Sequence, residues 1–456
     1  MSPTSAEVAL PDGVAGMVPA YLGRQRWYGG SDSPDPASVA VIGSDELAAT
    51  SGGAHRLLWA LVDVDGARYQ LLIAERPNGE PAEFLNGHER AVLGGTDRAY
   101  YYDGTLDQEL ALALLGVVTD GAEQAERVRP VTVEQSNTFL VFDDRLIMKV
   151  FRRLPDGPNP DVEVTEALAA AGFTHVAAPV ATWRRAGYDL AFVQQYLAGG
   201  TEGWALALTS LRDLYAEGPD DPAEAGGDFG AEAHRLGVMT AEMHLVMAEA
   251  FGVDRTGFRS VGWPKLLSSI EAGVHSVVGA AWPGSAADLM DRLRAVIDPG
   301  PAIRVHADYH LGQVMRTDTG WYVLDFEGEP ARPLSERLAP SSPFKDVTGM
   351  LRSFQYAAHF VLLERDQHEL DRVSKLAEAW EIHNREAFLN GYLTTEGIDT
   401  LLPEGMDARS AVSRAFELDK ALYELTYEQA YRPDWAVIPE TAIQRLLSGS
   451  APGFGG

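Results

Sequence analysis

The front of the chain carries short apolar runs at strand spacing, and the rear carries apolar positions at helical spacing. Residues 57–64 and 69–73 read as strands, set among Gly-rich turns such as Gly29-Gly30 and Gly52-Gly53, and predict a small, mostly β unit within residues 20–100. A second set of strands is expected between residues 128 and 193. Within it, 138–142 and 146–151 are joined by Asp143-Asp144, the signature of a tight hairpin. Beyond Tyr196 the period changes: residues 231–251, 346–363 and 409–431 repeat apolar side chains every three or four positions and predict helices. Residues 217–230, with Pro219, Pro222 and several glycines, read as an acidic loop or disordered insertion and are expected to be mobile, and 449–456 as a frayed tail.

A chain of 456 residues is long enough for more than one core, and 46 % hydrophobic against 23 % charged residues is the composition of a folded protein. The net charge of −29 changes the picture of its partners, because a field of that sign repels nucleic-acid phosphates and anionic lipid headgroups. No nucleic acid and no membrane is expected as a partner. The first twenty residues carry Glu7 and Asp12 and no early basic cluster, and the longest apolar run, 110–118, is far short of the ~18 residues a membrane helix needs. A cytoplasmic location follows as the expectation. Without cysteine there are no disulfides, thiolate metal sites or thiol nucleophiles, so chemistry falls to oxygen and nitrogen groups.

The segment 303–330 concentrates such groups. A strand end delivers His306-Ala307-Asp308, Gln313 follows five residues after Asp308, and a second strand ends at Asp325-Phe326-Glu327. Two strand ends thus bring two carboxylates together. Phosphoryl transfer from ATP uses one carboxylate to orient a hydroxyl and take its proton, and another with an amide oxygen to hold Mg²⁺. Asp308 fits the first role, Gln313 and Asp325 the second.

Only five lysines occur: Lys149, Lys265, Lys345, Lys375 and Lys420. Alternation on 145–151 puts Lys149 on one face with Ile147 and Phe151, where an unpaired ammonium would be costly. Glu163 is the expected carboxylate partner, with Glu166 as the alternative one helical turn later. In 409–431, Lys420, Tyr423 and Tyr427 share one helix face beside a stripe of Glu417, Glu424 and Glu428, which as a rule is solvated. His234 and His244 are ten residues apart, which is not metal-ligand spacing.

The 306–327 block resembles the catalytic segment of aminoglycoside phosphotransferase-like and protein-kinase-like enzymes, and among these it is most similar to the bacterial maltokinases. The similarity extends to Arg24-Gln25-Arg26-Trp27-Tyr28-Gly29-Gly30, Glu134-Gln135-Ser136-Asn137-Thr138, Lys149-Val150-Phe151-Arg152-Arg153, Asn159-Pro160-Asp161, Phe326-Glu327-Gly328-Glu329-Pro330 and the segment opening Asp346-Val347-Thr348-Gly349. The resemblance implies an α+β, bilobal kinase-like fold with an extra, mostly β N-terminal cap at 1–100. Intermediate nucleotide-binding strands would occupy 101–196, and a mostly helical lobe with the catalytic loop and sugar site 197–456.

It further implies a maltokinase using ATP and Mg²⁺ to make maltose 1-phosphate, on the route from trehalose to α-glucan, with trehalose synthase as a partner. Ser136 and Thr138 would then contact phosphate, although Gln-Ser-Asn-Thr is equally readable as a plain turn. Gln194 and Tyr196 would form the adenine hinge, and Lys420, Tyr423 and Tyr427 the sugar site, with His310 and Arg352 in second rank. His306 is read as a structural residue tying the loop down. The chain departs from the wider pattern at three positions. Ala307 stands for a Gly and is expected at negative φ, Gln313 stands for Asn, and Glu327 replaces a Gly and offers a further carboxylate to metal. Rival readings are a glucosamine kinase, with Glu424 and Glu428 receiving an ammonium, an antibiotic phosphotransferase, and a non-catalytic protein that kept the fold.

Overall fold

In strand β2 (Arg56–Val64), Leu57, Trp59 and Leu61 enter one hydrophobic cluster while Leu58, Ala60, Val62 and Val64 enter another, so its unbroken apolar run buries both faces. The computed structural model describes residues 8–30, 32–50, 52–80, 82–131, 137–217, 221–278, 284–329, 332–363 and 370–448. They form two units, one of residues 1–166 with 177–198, the other of 167–176 with 199–456.

In the first unit, β1 (Val39–Ala49), β2, β3 (Ala67–Pro77), β4 (Val92–Gly95) and β5 (Ala99–Asp103) form an antiparallel sheet ordered β1-β2-β3-β5-β4. Helix α1 (Val18–Leu22) contributes Tyr21 and Leu22 to one face, and α2 (Gln108–Val118) contributes Leu110 and Leu114 to the other. A second sheet joins β6 (Val128–Pro130), β7 (Thr138–Phe142), β8 (Leu146–Val150), β10 (Pro179–Arg185) and β11 (Tyr188–Gln195) in the order β10-β11-β8-β7-β6. The β7–β8 hairpin pairs Phe142 with Leu146 across a tight loop of 143–145, in which Asp143 and Asp144 both have φ near +50°, the tight hairpin that their sequence announced. A short β9 (Arg153–Leu154) after the Lys149 strand pairs with β3. Gln70 of β3 donates to Phe151 O and Leu190 O at 2.7 Å each, so front sheet and second sheet are stitched by a buried amide. Helix α3 (Pro160–Ala170) starts behind Asn159.

The second unit is mostly helical. Strand β12 (Thr201–Glu202) leads into α4 (Gly203–Glu217), followed by α5 (Gly230–Phe251), β13 (Val253–Asp254), α6 (Trp263–Val278) and α7 (Gly284–Arg294). Then come β14 (Ala302–Ile303), β15 (Val314–Thr317), β16 (Gly320–Val323), α8 (Leu334–Arg337), α9 (Phe344–Leu363), α10 (Leu370–Thr394), α11 (Met406–Tyr431) and α12 (Val437–Ser448). The predicted helices are thus present with their ends moved by a few residues. The predicted loop at 217–230 is more ordered than expected where it is described: Pro222–Glu224 is a helical turn, and the ring of Phe229, 4 % exposed, packs against Trp321, Phe354 and Trp380. Residues 449–456 lie outside the described residues. Among those described, no helix is long and apolar enough to cross a membrane.

Candidate active site

The loop after β14 is held in place from three directions. His306 is buried, its Nδ1 accepts the Asp308 N–H at 3.3 Å, and its Nε2 therefore carries the proton donated to Leu324 O at 2.9 Å. It is the tie that the sequence suggested. Phe326 packs on its ring with centroids 4.9 Å apart.

The second clamp is Asp346, in the first turn of α9. One carboxylate oxygen accepts from His306 N–H at 2.7 Å and pairs with His244 Nε2 at 3.1 Å, and the other accepts from Ala307 N–H at 2.9 Å. Burial alone would raise the Asp346 pKa, but these donors, the His244 bond foremost, hold it below the usual carboxylate range. His244 is thus a structural partner of Asp346, also bonded to Tyr392 at 2.9 Å, and not a metal ligand. The third clamp is close approach: a Cβ on Gly349 would lie 2.5 Å from Tyr309 O, so only glycine lets α9 pass this near the loop. Leu311 N–H donates to Ser353 Oγ on the same helix.

These clamps explain a correction. Ala307 was expected at negative φ, yet it sits at +69°, the left-handed region that costs an L-residue about 1–2 kcal/mol. Asp346 bonds the successive amides of His306 and Ala307 and holds that conformation.

The end of the loop is tied to the second strand. Gln313 N–H donates to His310 O, and Leu324 N–H donates to Gln313 O at 2.9 Å, which sets Gln313 beside the residue preceding Asp325. The Gln313 side-chain amide makes no hydrogen bond among the described residues. Asp308 lies 3.8 Å from Lys420 Nζ and 4.0 Å from His310 Nε2. His310 Nδ1 accepts from Gly312 N–H, so its Nε2–H faces Asp308. Burial, opposed by Asp308 and reinforced by Lys420, depresses the His310 pKa and keeps the ring neutral near pH 7.

Lys420 is the hinge of the site's charge. Its Nζ contacts Glu329 Oε1 at 2.5 Å, and Arg332 donates to the other Glu329 oxygen at 2.8 Å. Burial opposes the ammonium, but Glu329, then Asp308 and Glu424, outweigh it and raise its pKa. The same contacts hold Glu329 low against its own desolvation. Lys420 also lies 5.4 Å above the Tyr423 ring.

Around this pair opens a cavity of about 560 Å³ lined by Asp308, His310, Glu329, Lys420, Tyr423 and Tyr427. Trp204, Tyr356, Phe360 and Trp435 form its aromatic wall, and Glu202 stands at its rim. Arg352 does not line it: 1 % exposed, it forks onto Glu424 at 2.9 and 2.6 Å and so positions that carboxylate. The acidic stripe of α11 is not solvated. Glu417 pairs with Arg385, Glu424 with Arg352, and Glu428 with Arg432 and the Tyr356 hydroxyl, all with their acids buried or nearly so.

In the first unit Lys149 is buried and pairs with Asp161 at 2.8 Å, between the rings of Phe139 and Phe151. Asp161 thus joins Glu163 and Glu166 among the acids near this lysine, as a partner the spacing argument does not name. Asn159 caps the helix by accepting the Asp161 N–H, with Pro160 opening it, and that cap signal was available to locate the first helical carboxylate. Glu163 sits half-buried two residues on, and Glu166 bonds Thr182 and Arg184. Thr138 Oγ1 accepts from Arg152 Nε, which also grips Asp103 with NH2 at 2.6 Å. Gln194 pairs with Ile147 across β11 and β8, and Tyr196 N–H donates to Arg145 O. Ser136 lies outside the described residues.

A family model described as "Phosphotransferase enzyme family" matches residues 127–362, over half of the chain. The chain belongs to that family. A model for the "Maltokinase N-terminal cap domain" matches residues 21–107, which contain the front sheet of this phosphotransferase. A "Glucosamine kinase" of Streptacidiphilus jiangxiensis is 29 % identical over 396 residues, covering 78 % of this chain and 84 % of that one. Another, from Mycolicibacterium smegmatis, is 26 % identical over 402 residues and is covered to 97 % of its length. A solved glucosamine kinase in complex with glucosamine, ADP and inorganic phosphate superposes with a TM-score of 0.67 at 22 % identity over 96 % of this phosphotransferase and 100 % of that chain. The fold is therefore the kinase-like phosphotransferase fold with a mostly β N-terminal region, as the sequence implied.

Proposed function

We propose that this phosphotransferase moves the γ-phosphoryl group of ATP to the anomeric hydroxyl of maltose, giving maltose 1-phosphate and ADP. The observation that carries the acceptor is the charge state of the cavity. Glu329, Glu424 and Glu428 are each neutralised by Lys420, Arg332, Arg352 or Arg432, which leaves a polar, aromatic-walled pocket suited to a neutral sugar. A cation 3.8 Å from Asp308 also disfavours an ammonium at the reacting end.

In this reading Asp308 orients the acceptor hydroxyl and takes its proton late, as its oxygen bonds to the γ-phosphorus and the bond to the β-phosphate oxygen breaks. Neutral His310 and Lys420 hold the Asp308 carboxylate in place. Lys420 and Tyr423 offer a hydrogen-bonding cation and a ring face to the sugar. Gln313, Asp325 and Glu327 form a hard-oxygen set of one amide and two carboxylates, the chemistry Mg²⁺ prefers, and the unpartnered Gln313 amide supports it. Bound there, Mg²⁺ would neutralise charge on the phosphates. Lys149 with Asp161 and Glu163 is assigned to the donor phosphates, Ser136 and Thr138 to the same task, and Gln194 and Tyr196 to the adenine. The substrate would come from an enzyme that releases maltose, such as a trehalose synthase.

One observation favours a second reading, a glucosamine kinase like the relatives named above. Glu202 has no hydrogen bond or ion pair among the described residues, and desolvation raises its pKa, so it would gain from an ammonium group. The test is a panel of maltose, glucose and glucosamine with labelled ATP and Mg²⁺, with the product's phosphate position read by NMR. Maltose turned over fastest, with phosphate on the anomeric carbon, supports the proposal; faster turnover of glucosamine overturns it.

A further inference from the structure

The cavity lining includes Tyr427, whose ring meets that of the exposed Tyr431. We propose that the cavity continues along α11 as a track for longer α-linked glucans, so that maltotriose and its higher homologues are phosphorylated at their reducing ends. The inference rests on the sugar-kinase reading above and extends its substrate class.

At 3.6 residues per turn, Lys420, Tyr427 and Tyr431 fall within about 40° of one another on the helix face. The rings of Tyr427 and Tyr431 lie 4.8 Å apart at 41°, and the two residues are 43 % and 72 % exposed. Single exposed aromatics need no explanation, but these two form a contiguous surface joined to a cavity whose lining includes one of them. A chain of further rings connects to it through Arg432. Arg432 lies 5.6 Å from the Tyr427 ring and 4.4 Å from Trp435, Trp435 lies 5.3 Å from Phe360, and Phe360 lies 5.8 Å from Trp204. Apolar ring faces flanked by a guanidinium suit pyranoses, which present C–H faces to aromatics and hydroxyls to charged donors.

The length also fits. Eleven residues from Lys420 to Tyr431 span about 16 Å at 1.5 Å each. A hexose ring closed by bonds of about 1.5 Å, with its bridging oxygen, advances a glycan by roughly 4–5 Å. The track therefore exceeds two rings. Additional units extend away from the reacting end, so the chemistry is unchanged: the reducing-end oxygen bonds to the γ-phosphorus, its proton passes to Asp308, and ADP leaves.

The experiment measures kcat/KM for maltose, maltotriose and maltotetraose in the parent, Tyr431→Ala and Tyr431→Trp. Expected are a maltotriose-to-maltose ratio of one or more in the parent, a fall of roughly fivefold in that ratio for Tyr431→Ala through KM, and its recovery in Tyr431→Trp. Turnover of maltose with rejection of maltotriose overturns the track and leaves the maltose reading standing, as does a ratio unmoved by Tyr431→Ala. If neither sugar is phosphorylated, both fall.

Discussion

Replacing Asp346 by Asn tests whether this carboxylate, which touches neither the cavity nor the proposed metal ligands, holds the 306–311 loop in its strained form. The two side chains have the same shape, but Asp346 accepts from three donors with two oxygens, and Asn offers one oxygen and an amide. In the better orientation the oxygen keeps the His306 and His244 bonds while the amide faces the Ala307 N–H, leaving a buried donor unsatisfied at a cost of about 1–3 kcal/mol. Losing charge assistance in the other two bonds adds about 1 kcal/mol each. The expected loss is therefore about 3–5 kcal/mol in denaturant titration, a large share of the ~5–15 kcal/mol that holds a typical native fold.

With the clamp weakened, Ala307 is free to leave its φ of +69° and carries Asp308 with it, so kcat should fall about a hundredfold. The acid limb of stability should change too. Asp346 has a depressed pKa in the folded state, so its contribution is complete above its ordinary value near 4 and vanishes as pH falls through the folded value; the Asn variant should lack that slope. Ala307→Gly removes the left-handed penalty, and in that background Asp346→Asn should lose less activity. A variant within 1 kcal/mol and threefold of the parent, or a penalty indifferent to Ala307→Gly, would refute the clamp.

Asp308→Asn should lower kcat by roughly 10³-fold while leaving the denaturation midpoint within experimental scatter, since no fold-defining bond ends on its carboxylate. Lys420→Met leaves Glu329 with Arg332 alone and removes the cation beside Asp308; kcat/KM for the sugar should drop at least tenfold, and Lys420→Arg should not restore it because the planar fork cannot replace a point charge shared by two carboxylates. Glu329, whose folded pKa is depressed, should contribute stability that is present above about pH 4.5 and fades as pH falls, a slope that Glu329→Gln abolishes in pH-dependent melting.

The strands and helices were legible because alternation and helical spacing are local, and so was the short hairpin that separates Gln313 from Asp325. What the sequence hid depends on partners distant along the chain. Ala307 adopts a positive φ because Asp346, 39 residues on, bonds its amide. Glu424 is buried because Arg352, 72 residues before it, supplies the compensating charge; an exposed stripe is the sensible expectation until that arginine is placed. That Asp161 pairs with Lys149 depends on where α3 begins, which the Asn159 cap decides.

The interleaving of the two units constrains any attempt to dissect the protein. Because residues 167–176 belong with the later part of the chain while 177–198 return to the earlier one, a single cut leaves one fragment missing a piece and the other carrying a foreign one. The bond from His175 Nδ1 to Trp321 O and the parallel bridge of Val176 to Val323 would be lost to a C-terminal fragment starting at residue 199. Split-protein reporters or separately expressed halves built on this scaffold would need a graft or a circular permutation.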